Sequence, residues 1–278
     1  MPAEAMGSAE GRPLAGRVAI VTGASRGIGK AIAERLASAG ITVVAAARSL
    51  SRSDDLPGTV EATVALIKER GGKAIAMACD IESEADRNRL VADTIARLGR
   101  LDILVNNAGR AVIENALEMS YANSESQTRQ YLLGPLDLTL RAIQHMKAQG
   151  AGWVINLGSA TANPPYRKTG LNYYGALKAA IHRMTAGFAV ELEEHNISVN
   201  AVSPVSTIMT PGVDSLHIIT EQMMSRVETI EHIAEAALAV VETEPKELTG
   251  QILFSYRFLD EIGRSTMSLD GRTIVQAR

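Results

Sequence analysis

Cysteine is nearly absent from this sequence and histidine is scattered, so neither an internal disulfide nor a metal site is indicated. Cys79 is the only cysteine among 278 residues, which excludes an internal disulfide and any Cys-x-x-Cys metal or redox pair. The five histidines are scattered without the His-x3-His spacing of a metal site. No stretch of about 18 consecutive apolar residues occurs, so no membrane-spanning helix is predicted.

An excess of basic charge is also lacking. Lys and Arg total 28 against 31 Asp and Glu, and the net charge of -3 comes without a basic block. This pattern argues against nucleic acid as the main partner. Residues 1–14 lack the basic start and apolar run of a secretory signal, and we interpret them as a loose leader. A cytoplasmic protein is therefore expected.

A glycine-rich turn between a strand and a helix is the central feature that the sequence does contain. Val18 to Thr22 are apolar or β-branched, as in a strand buried on both faces of a parallel sheet, and Gly23, Gly27 and Gly29 follow at once. Apolar residues then recur every four positions, which predicts a helix. Such a turn can hold a pyrophosphate against backbone N–H groups and the helix dipole, although strand-to-helix turns also need glycine for geometry alone.

Two arginines flank the predicted phosphate site. Arg26 lies inside the glycine turn, and Arg48 directly follows the second predicted strand, Ile41 to Ala47, with no acidic residue before Asp54. In a dinucleotide site an acidic residue at this strand end binds the ribose 2'-hydroxyl, whereas a basic one accepts a 2'-phosphate. The pattern therefore favours NADP over NAD, and the alternative is that both arginines are solvated surface residues.

Predicted strands and helices alternate along the rest of the chain, stopped by glycines and without a linker or an internal repeat. Parallel neighbours need such crossovers, so we predict a single-domain α/β fold over residues 15–259: a Rossmann-like doubly wound parallel sheet of about seven strands with helices on both faces. Residues 260–278 are polar and are interpreted as an arm. Two long helices are expected, Gln127 to Gln149, which Pro135 could bend, and Asn172 to His195.

Tyr174, Lys178 and Ser159 are the candidate reactive residues. Tyr174 and Lys178 are four apart on a predicted helix and so share one face, and Ser159 follows a neighbouring strand. A phenol with a pKa of about 10 is a poor base at neutral pH, but a nearby ammonium favours the phenolate. Ser159 can bond a substrate carbonyl. Alone, the pair also fits a core tyrosine beside a surface lysine.

The order of these motifs resembles the short-chain dehydrogenase/reductase family from about Leu14 to Phe254. The motifs are Thr22-Gly23-Ala24-Ser25-Arg26-Gly27-Ile28-Gly29, Asn106-Asn107-Ala108-Gly109, Ser159 and Tyr174-Gly175-Ala176-Leu177-Lys178. The resemblance implies hydride transfer between NADP(H) and a secondary alcohol or ketone, with Tyr174 as acid/base, Lys178 holding the nicotinamide ribose and Ser159 positioning the oxygen. The implied cofactor contacts are Gly23, Ser25, Arg26, Gly27, Ile28, Gly29, Arg48, Asp80, Ile81, Asn107, Ala108, Gly109, Tyr174, Lys178 and Pro204.

Individual positions of this pattern allow a second interpretation. Asp80, at the mouth of the third strand, either bonds an adenine amino group or leads the following helix. Where the family usually has an asparagine three residues before a glycine, this chain has Tyr131 before Gly134. Its hydroxyl could take over part of the asparagine's role, its ring could fill the site of a relay water, or it could simply pack in the core. Val205 stands where the family usually has glycine, and the loop before Tyr174 is about two residues longer than usual.

The substrate is expected to be a small carbonyl or alcohol, and the sequence leaves its class open. An apolar lid would suit a hydrophobic ketone, whereas Arg167 and Lys168 would suit an acidic 3-oxoacyl thioester. A catalytically weak NADP-binding sensor or scaffold is the alternative to an enzyme. The two long helices are expected to form a homodimer or homotetramer, as in the family, through Leu133, Met146, Met184 and Phe188. The candidate lid residues are Ile208, Met209, Met223 and Met224.

Overall fold

The computed structural model describes residues 14–51, 56–163, 170–216 and 227–275. Their seven strands form one parallel sheet in the order β3-β2-β1-β4-β5-β6-β7, which confirms the predicted doubly wound fold. The strands are β1 Val18–Thr22, β2 Thr42–Ala47, β3 Lys73–Ala78, β4 Ile103–Asn106, β5 Gly152–Leu157, β6 Ile197–Ser203 and β7 Ile252–Phe254. The leader up to residue 13 and the positions Arg167, Lys168, Met223 and Met224 lie outside the described residues.

The strand order reverses between β1 and β4, which are hydrogen-bonded neighbours. Ala19 of β1 pairs with Val43 of β2 on one side and with Ile103 of β4 on the other. Crossovers leave β1 and β4 in opposite directions, so a crevice opens at their carboxyl ends, where open α/β sheets bind ligands. The glycine turn follows β1 at this crevice.

Helices cover both faces of the sheet, each with its own apolar cluster. The helices are α1 Gly27–Ser38, α2 Val60–Glu69, α3 Glu84–Leu98, α4 Tyr121–Thr128, α5 Gly134–Gln149, α6 Asn172–Leu192, α7 Pro211–Asp214, α8 Ile230–Glu242 and α9 Ser255–Glu261. Side chains of α1, α2 and α8 pack on one face and those of α3, α5 and α6 on the other. None of the helices in these described stretches has the length and apolarity to cross a bilayer.

The first long helix differs from its prediction in start and shape. It begins at Tyr121 as α4 and passes through one π-helical turn, Arg129–Leu133, into α5. The N–H of Gly134 bonds the carbonyl of Arg129, five residues back. Pro135 has no N–H to donate and crowds the carbonyl four residues before it, which disfavours a regular turn there. The π turn therefore ends at Leu133, two residues before the proline.

The core-facing stripe of α5 also differs from the sequence prediction. Leu138, Ala142 and Met146 are fully buried, whereas Leu140 is 45% exposed. The helix carries two apolar stripes, and burial selects the i, i+4, i+8 series that ends at Met146. Assigning Met146 to a dimer surface was therefore wrong, because this side chain fills the core against Gly152.

The C-terminal segment packs on the domain as far as residue 275, where an arm was expected. Arg264 bonds the carboxylates of Glu235 and Glu242 on α8, and the N–H of Met267 also donates to Glu235. Glu235 is fully buried and is bonded as well by Arg35 of α1. Buried charges are retained where such partners satisfy them, so this segment is joined to the core.

Candidate active site

The glycine turn is closed by an amide from the neighbouring strand. The side-chain Nδ2 of Asn107 donates to the carbonyls of Thr22 and Gly23, at 2.7 and 3.4 Å. A Cβ on Gly29 would lie 2.3 Å from this nitrogen, and Gly23 has a φ of +69°. Close packing and backbone conformation thus both require glycine. The side chain of Asn107, one of the implied cofactor contacts, thus also holds the turn.

Thr22 is a second organiser of this turn, and the sequence analysis did not assign it a role. Its hydroxyl donates to the carbonyl of Val105 at 3.1 Å and accepts the N–H groups of Asn107 and Ala108. It therefore connects the carboxyl ends of β1 and β4. The sequence did contain an indication of this role, since Thr22 directly precedes the first glycine of the turn and carries a hydroxyl.

The N-terminus of α1 has the features of an anion site. Arg26 is the N-cap residue, its side chain makes no capping bond, and the first turn contains no acidic residue. Gly27 has a φ of +55°, and a Cβ there would press on the Thr210 side chain at 3.2 Å. Backbone N–H groups and the helix dipole favour a phosphate at such a position. We call the glycine turn around Gly23, Gly27 and Gly29, together with the N-terminus of α1, the cradle. It fits the pyrophosphate of a dinucleotide, with buried Ser25 and partly buried Ile28 beside it.

The two arginines assigned to the 2'-phosphate differ in their surroundings. Arg26 donates to the carbonyls of Leu56, Pro57 and Gly58 at 2.9 Å each, so it holds the loop before α2 against the glycine turn. Arg48 is exposed at the end of β2. Both lie on elements that end at the crevice edge of the sheet.

Asp80 and Ile81 are engaged within the protein. Asp80 Oδ1 accepts the N–H of Glu82 at 3.0 Å in the turn before α3, as in the helix-leading interpretation. Ile81 is buried with the apolar cluster, and its carbonyl accepts a bond from Arg87 at 2.7 Å. These contacts fix the floor of the crevice beside β3.

Tyr174 and Lys178 share one face of α6, as predicted. The ammonium of Lys178 lies 5.7 Å from the centre of the Tyr174 ring and donates to the carbonyl of Leu157, at the end of β5, at 2.6 Å. Lys178 is only 6% exposed. Burial lowers the pKa of Lys178 to about 7, because a buried ammonium loses its hydration.

Ser159 is oriented by Thr161, a residue that the sequence analysis missed. The backbone N–H and the hydroxyl of Thr161 both donate to Ser159 Oγ, at 3.2 and 2.9 Å. Because its oxygen accepts these two bonds, the hydroxyl proton of Ser159 is directed to a further acceptor. The short 3₁₀ turn Ala160–Ala162 lies against α6, where a Cβ on Gly175 would be 2.9 Å from the Thr161 carbonyl.

The ring of Tyr131 lies against the Tyr174 and Lys178 pair. It is 6% exposed and meets the Tyr174 ring edge-on, with centroids 5.2 Å apart. The Lys178 ammonium lies 4.7 Å from its centroid. Burial, and to a lesser degree the neighbouring phenol of Tyr174, raise the pKa of Tyr131 well above its ordinary value. These contacts fit a ring that fills the site of a relay water and equally a ring packed in the core.

A buried carboxylate fixes the chain after β6, where the sequence departs from the family pattern. The N–H of Val205, which follows Pro204, donates to Glu228 at 2.7 Å, and Ser255 donates to the other carboxylate oxygen. Glu228 is 8% exposed. The loop therefore has one fixed end, and it continues to Thr210 over the glycine turn.

Comparison with known proteins identifies the scaffold that carries this site. The sequence model of the short chain dehydrogenase family matches residues 17–217. The chain belongs to the short-chain dehydrogenase family. The glycine turn, Ser159, Tyr174 and Lys178 all lie within the matched residues, so the candidate site is part of the family scaffold and the chain is an oxidoreductase of that family.

Relatives within the short-chain dehydrogenases cover most of the chain. The short-chain reductase protein NovJ of Streptomyces niveus is 34% identical over 84% of this chain and 90% of its own. The 7alpha-hydroxysteroid dehydrogenase of Escherichia coli K12 is 30% identical over 86% and 92%. A crystal structure of a metagenomic short-chain oxidoreductase in complex with NADP has a TM-score of 0.73 and 28% identity, covering 87% and 98%. The chain spans only 47 to 59% of hydroxysteroid dehydrogenase-like protein 2 from cattle, rat and zebrafish.

Proposed function

We propose that the protein is an NADP(H)-dependent dehydrogenase/reductase that interconverts a secondary alcohol and a ketone, with Tyr174 as acid/base. The observation that carries the proposal is the placement of Tyr174 and the buried Lys178 on one face of α6. Ser159 follows strand β5, and the carbonyl of the last residue of this strand accepts a hydrogen bond from the Lys178 ammonium. A phenol, an ammonium and a directed hydroxyl at one sheet edge are suited to moving a proton to or from an oxygen.

Each residue has a defined task in the proposed reaction. Bound NADP(H) would supply or accept the hydride. In the reduction direction Tyr174 gives its phenolic proton to the substrate oxygen, and Ser159 donates a hydrogen bond to the same oxygen. The charge of Lys178 stabilises the phenolate that remains on Tyr174. In oxidation the phenolate takes up the hydroxyl proton. In either direction a proton exchanged with solvent restores Tyr174 for the next turnover.

The cofactor site is assigned to the cradle around Gly23, Gly27 and Gly29, with Arg26 and Arg48 near the 2'-phosphate. The absence of an acidic side chain in the first turn of α1 supports this assignment. NADP in the related metagenomic enzyme supports it as well. Arg26 is already held by three carbonyls, so exposed Arg48 carries the larger share of the proposed selectivity.

A hydrophobic ketone is the proposed substrate class. Met209 is partly buried where the chain passes from β6 toward the glycine turn, whereas the neighbouring Ile208 packs in the apolar core under α1 and α8. Apolar and flexible side chains suit an apolar ligand. The hydroxysteroid activity in the name of the Escherichia coli relative points to the same class.

The protein is proposed to be cytoplasmic and to form a homodimer or homotetramer. Large apolar side chains are exposed on the outer faces of the two long helices, where a second copy would cover them. They are Leu133 (47% exposed), Leu140 (45%) and Val190 (76%). Large apolar side chains exposed on helix surfaces are typical of protein–protein interfaces, and symmetric homo-oligomers are the commonest assemblies.

A screen for NADPH oxidation tests the proposed activity. Steroidal and smaller hydrophobic ketones would be compared with 3-oxoacyl thioesters, using wild type and Tyr174→Phe. Turnover of a ketone that is lost in Tyr174→Phe supports the proposal. Binding of NADPH without turnover of any carbonyl would instead favour a sensor or scaffold, and preference for the thioester would replace the substrate class.

A further inference from the structure

The ring of Tyr131 contacts both members of the Tyr174 and Lys178 pair, from a different helix. This ring and the Tyr174 ring form a T-shaped pair with an interplanar angle of 80°, and the Lys178 ammonium lies 4.7 Å from the Tyr131 centroid. The same ammonium lies 5.7 Å from the Tyr174 ring. The ammonium is therefore nearer to the ring centre of Tyr131 than to that of Tyr174.

The surrounding backbone fixes this ring in place. Tyr131 belongs to the π turn, whose next residue, Gly134, packs directly on Ile81, since a Cβ there would be 2.8 Å from the Ile81 side chain. A Cβ on Gly109 would lie 2.3 Å from the Tyr131 ring. Glycine at position 109 thus leaves the space that the ring occupies.

We propose that Tyr131 is a positioning residue that holds the Lys178 ammonium on its ring face and packs against the Tyr174 ring. This inference rests on the proposed function for its catalytic meaning. An ammonium placed over an aromatic face is attracted by the ring quadrupole, and the attraction is largest where water is excluded. Lys178 is 6% exposed and Tyr131 is 6% exposed, so the contact has that character.

The groups that face Lys178 are few among the described residues. They are the phenols of Tyr131 and Tyr174, the imidazole of His182 one turn further along α6, and the carbonyl of Leu157. Burial and the charge of Lys178 both lower the pKa of His182, so His182 opposes a charge on Lys178 when it is protonated. No carboxylate pairs with Lys178 in the described part of the chain.

Without a carboxylate, the stabilisation of this buried charge comes from one carbonyl and from the aromatic rings. The Tyr131 ring is the nearer of the two rings. Its removal lowers the fraction of Lys178 that is charged, and this charge is what favours the Tyr174 phenolate. Since only the ring makes these contacts, phenylalanine at position 131 retains them, whereas an aliphatic side chain does not.

The test measures the pKa of Lys178 directly in the cofactor-free protein. Competitive labelling of lysines is followed over pH, and the peptide that contains Lys178 is quantified by mass spectrometry. In Tyr131→Leu the pKa of Lys178 is expected to fall by about one unit. In Tyr131→Phe, the matched control, it is expected to stay within about 0.3 units of wild type.

Three results would overturn the proposal. They are an unchanged pKa of Lys178 in Tyr131→Leu, an equal fall in Tyr131→Phe, and a rise in Tyr131→Leu. A rise would show that the ring has two opposing effects on the ammonium and that destabilisation by exclusion of water is larger than stabilisation by the ring face. Circular dichroism checks that each variant is folded, and Tyr131→Met, closer in length to tyrosine, replaces the leucine variant if that one does not fold.

The labelling needs neither cofactor nor substrate, so the two proposals fail separately. A fall in the pKa without turnover of any carbonyl leaves the role of Tyr131 at Lys178 intact and rejects the proposed function. Turnover in wild type together with an unchanged pKa in Tyr131→Leu rejects the role of Tyr131 alone. If both proposals hold, the pH profile of alcohol oxidation shifts in Tyr131→Leu and not in Tyr131→Phe.

Discussion

The ammonium of Lys178 is bonded to the carbonyl of Leu157 at 2.6 Å, and both groups are buried. This bond fixes the lysine at the end of β5, but one neutral acceptor replaces only part of the hydration that an ammonium loses on burial. The lowered pKa of Lys178, about 7, records that cost. The charged form of Lys178 therefore destabilises the fold.

Lys178→Met is expected to unfold at higher urea concentration than wild type at pH 6.5. The pKa of Lys178 is about 7 in the folded protein and 10.5 as an ordinary value. Between about pH 7 and pH 10.5 the unfolded chain therefore binds more protons than the folded protein, so the stability of wild type rises with pH across that range. The gain of the variant is expected to exceed about 1 kcal/mol at pH 6.5, since each pKa unit corresponds to about 1.4 kcal/mol, and to shrink toward pH 10. Lys147→Met, at an exposed position on α5, is the control. A gain independent of pH would contradict this account.

Tyr174→Phe is expected to lose about 100- to 10,000-fold in turnover while NADPH binding is retained, because the variant removes one hydroxyl and keeps the ring. Steady-state kinetics and a fluorescence titration measure the two effects. Tyr173→Phe is the matched control, since the Tyr173 hydroxyl contacts Thr128 at 2.7 Å on the side of α4. Wild-type turnover in Tyr174→Phe would reject the mechanism.

NADPH is expected to bind at least about tenfold more tightly than NADH, because a charge-assisted arginine–phosphate bond contributes about 1.5–3 kcal/mol. Arg48→Asp should erode this preference by weakening NADPH binding, while the introduced carboxylate, which can accept the ribose 2'-hydroxyl, strengthens NADH binding or leaves it unchanged. Arg97→Asp, an exposed position on α3, alters net charge equally and serves as control. Tighter binding of NADH by wild type would remove the cofactor assignment.

Wild type is expected to be a dimer or tetramer at micromolar concentration, as measured by light scattering. Leu140→Glu and Val190→Glu place charges on the exposed apolar faces of α5 and α6, so each should shift the protein toward monomer. Ile274→Glu, at an exposed apolar residue of the C-terminal segment, should leave the mass unchanged. A monomeric wild type would refute the proposed assembly.

Glu235→Gln is expected to cost about 3–5 kcal/mol of unfolding free energy, because it leaves buried Arg35 without its counter-charge and Arg264 with Glu242 alone. The carboxylate of Glu235 is bonded by Arg35 and Arg264. Glu125→Gln removes an exposed i, i+4 partner of Arg129 and should cost less than about 1 kcal/mol. Urea denaturation compares them, and equal losses would contradict the difference in burial.

The features that the sequence predicted well are local ones. The glycine turn follows from residues within one strand and one helix, and Tyr174 and Lys178 share a helix face by spacing alone. The alternation of strands and helices likewise leaves few arrangements open, because parallel neighbours require crossovers. Family resemblance then supplied an order for the motifs.

The features that escaped prediction depend on contacts between distant segments. Burial of Met146 was missed because α5 carries two apolar stripes and only the packed structure selects one. The roles of Thr161 and Glu228 depend on where a single hydroxyl or carboxylate points. Tyr131 is the clearest case, since the π turn that directs its ring is not encoded by hydrophobic periodicity.

The bracing of the glycine turn by Asn107 has a consequence for the order of folding. Asn107 and Thr22 are 85 residues apart, and the Thr22 bond to Val105 spans 83. All six strand pairings are parallel, so none forms from a hairpin, and long loops must close before these bonds can form. A nascent chain that has emerged only as far as β3 contains the whole glycine sequence and lacks the residues that shape it. The cradle therefore matures after the first crossovers, and its formation reports on assembly of the sheet centre.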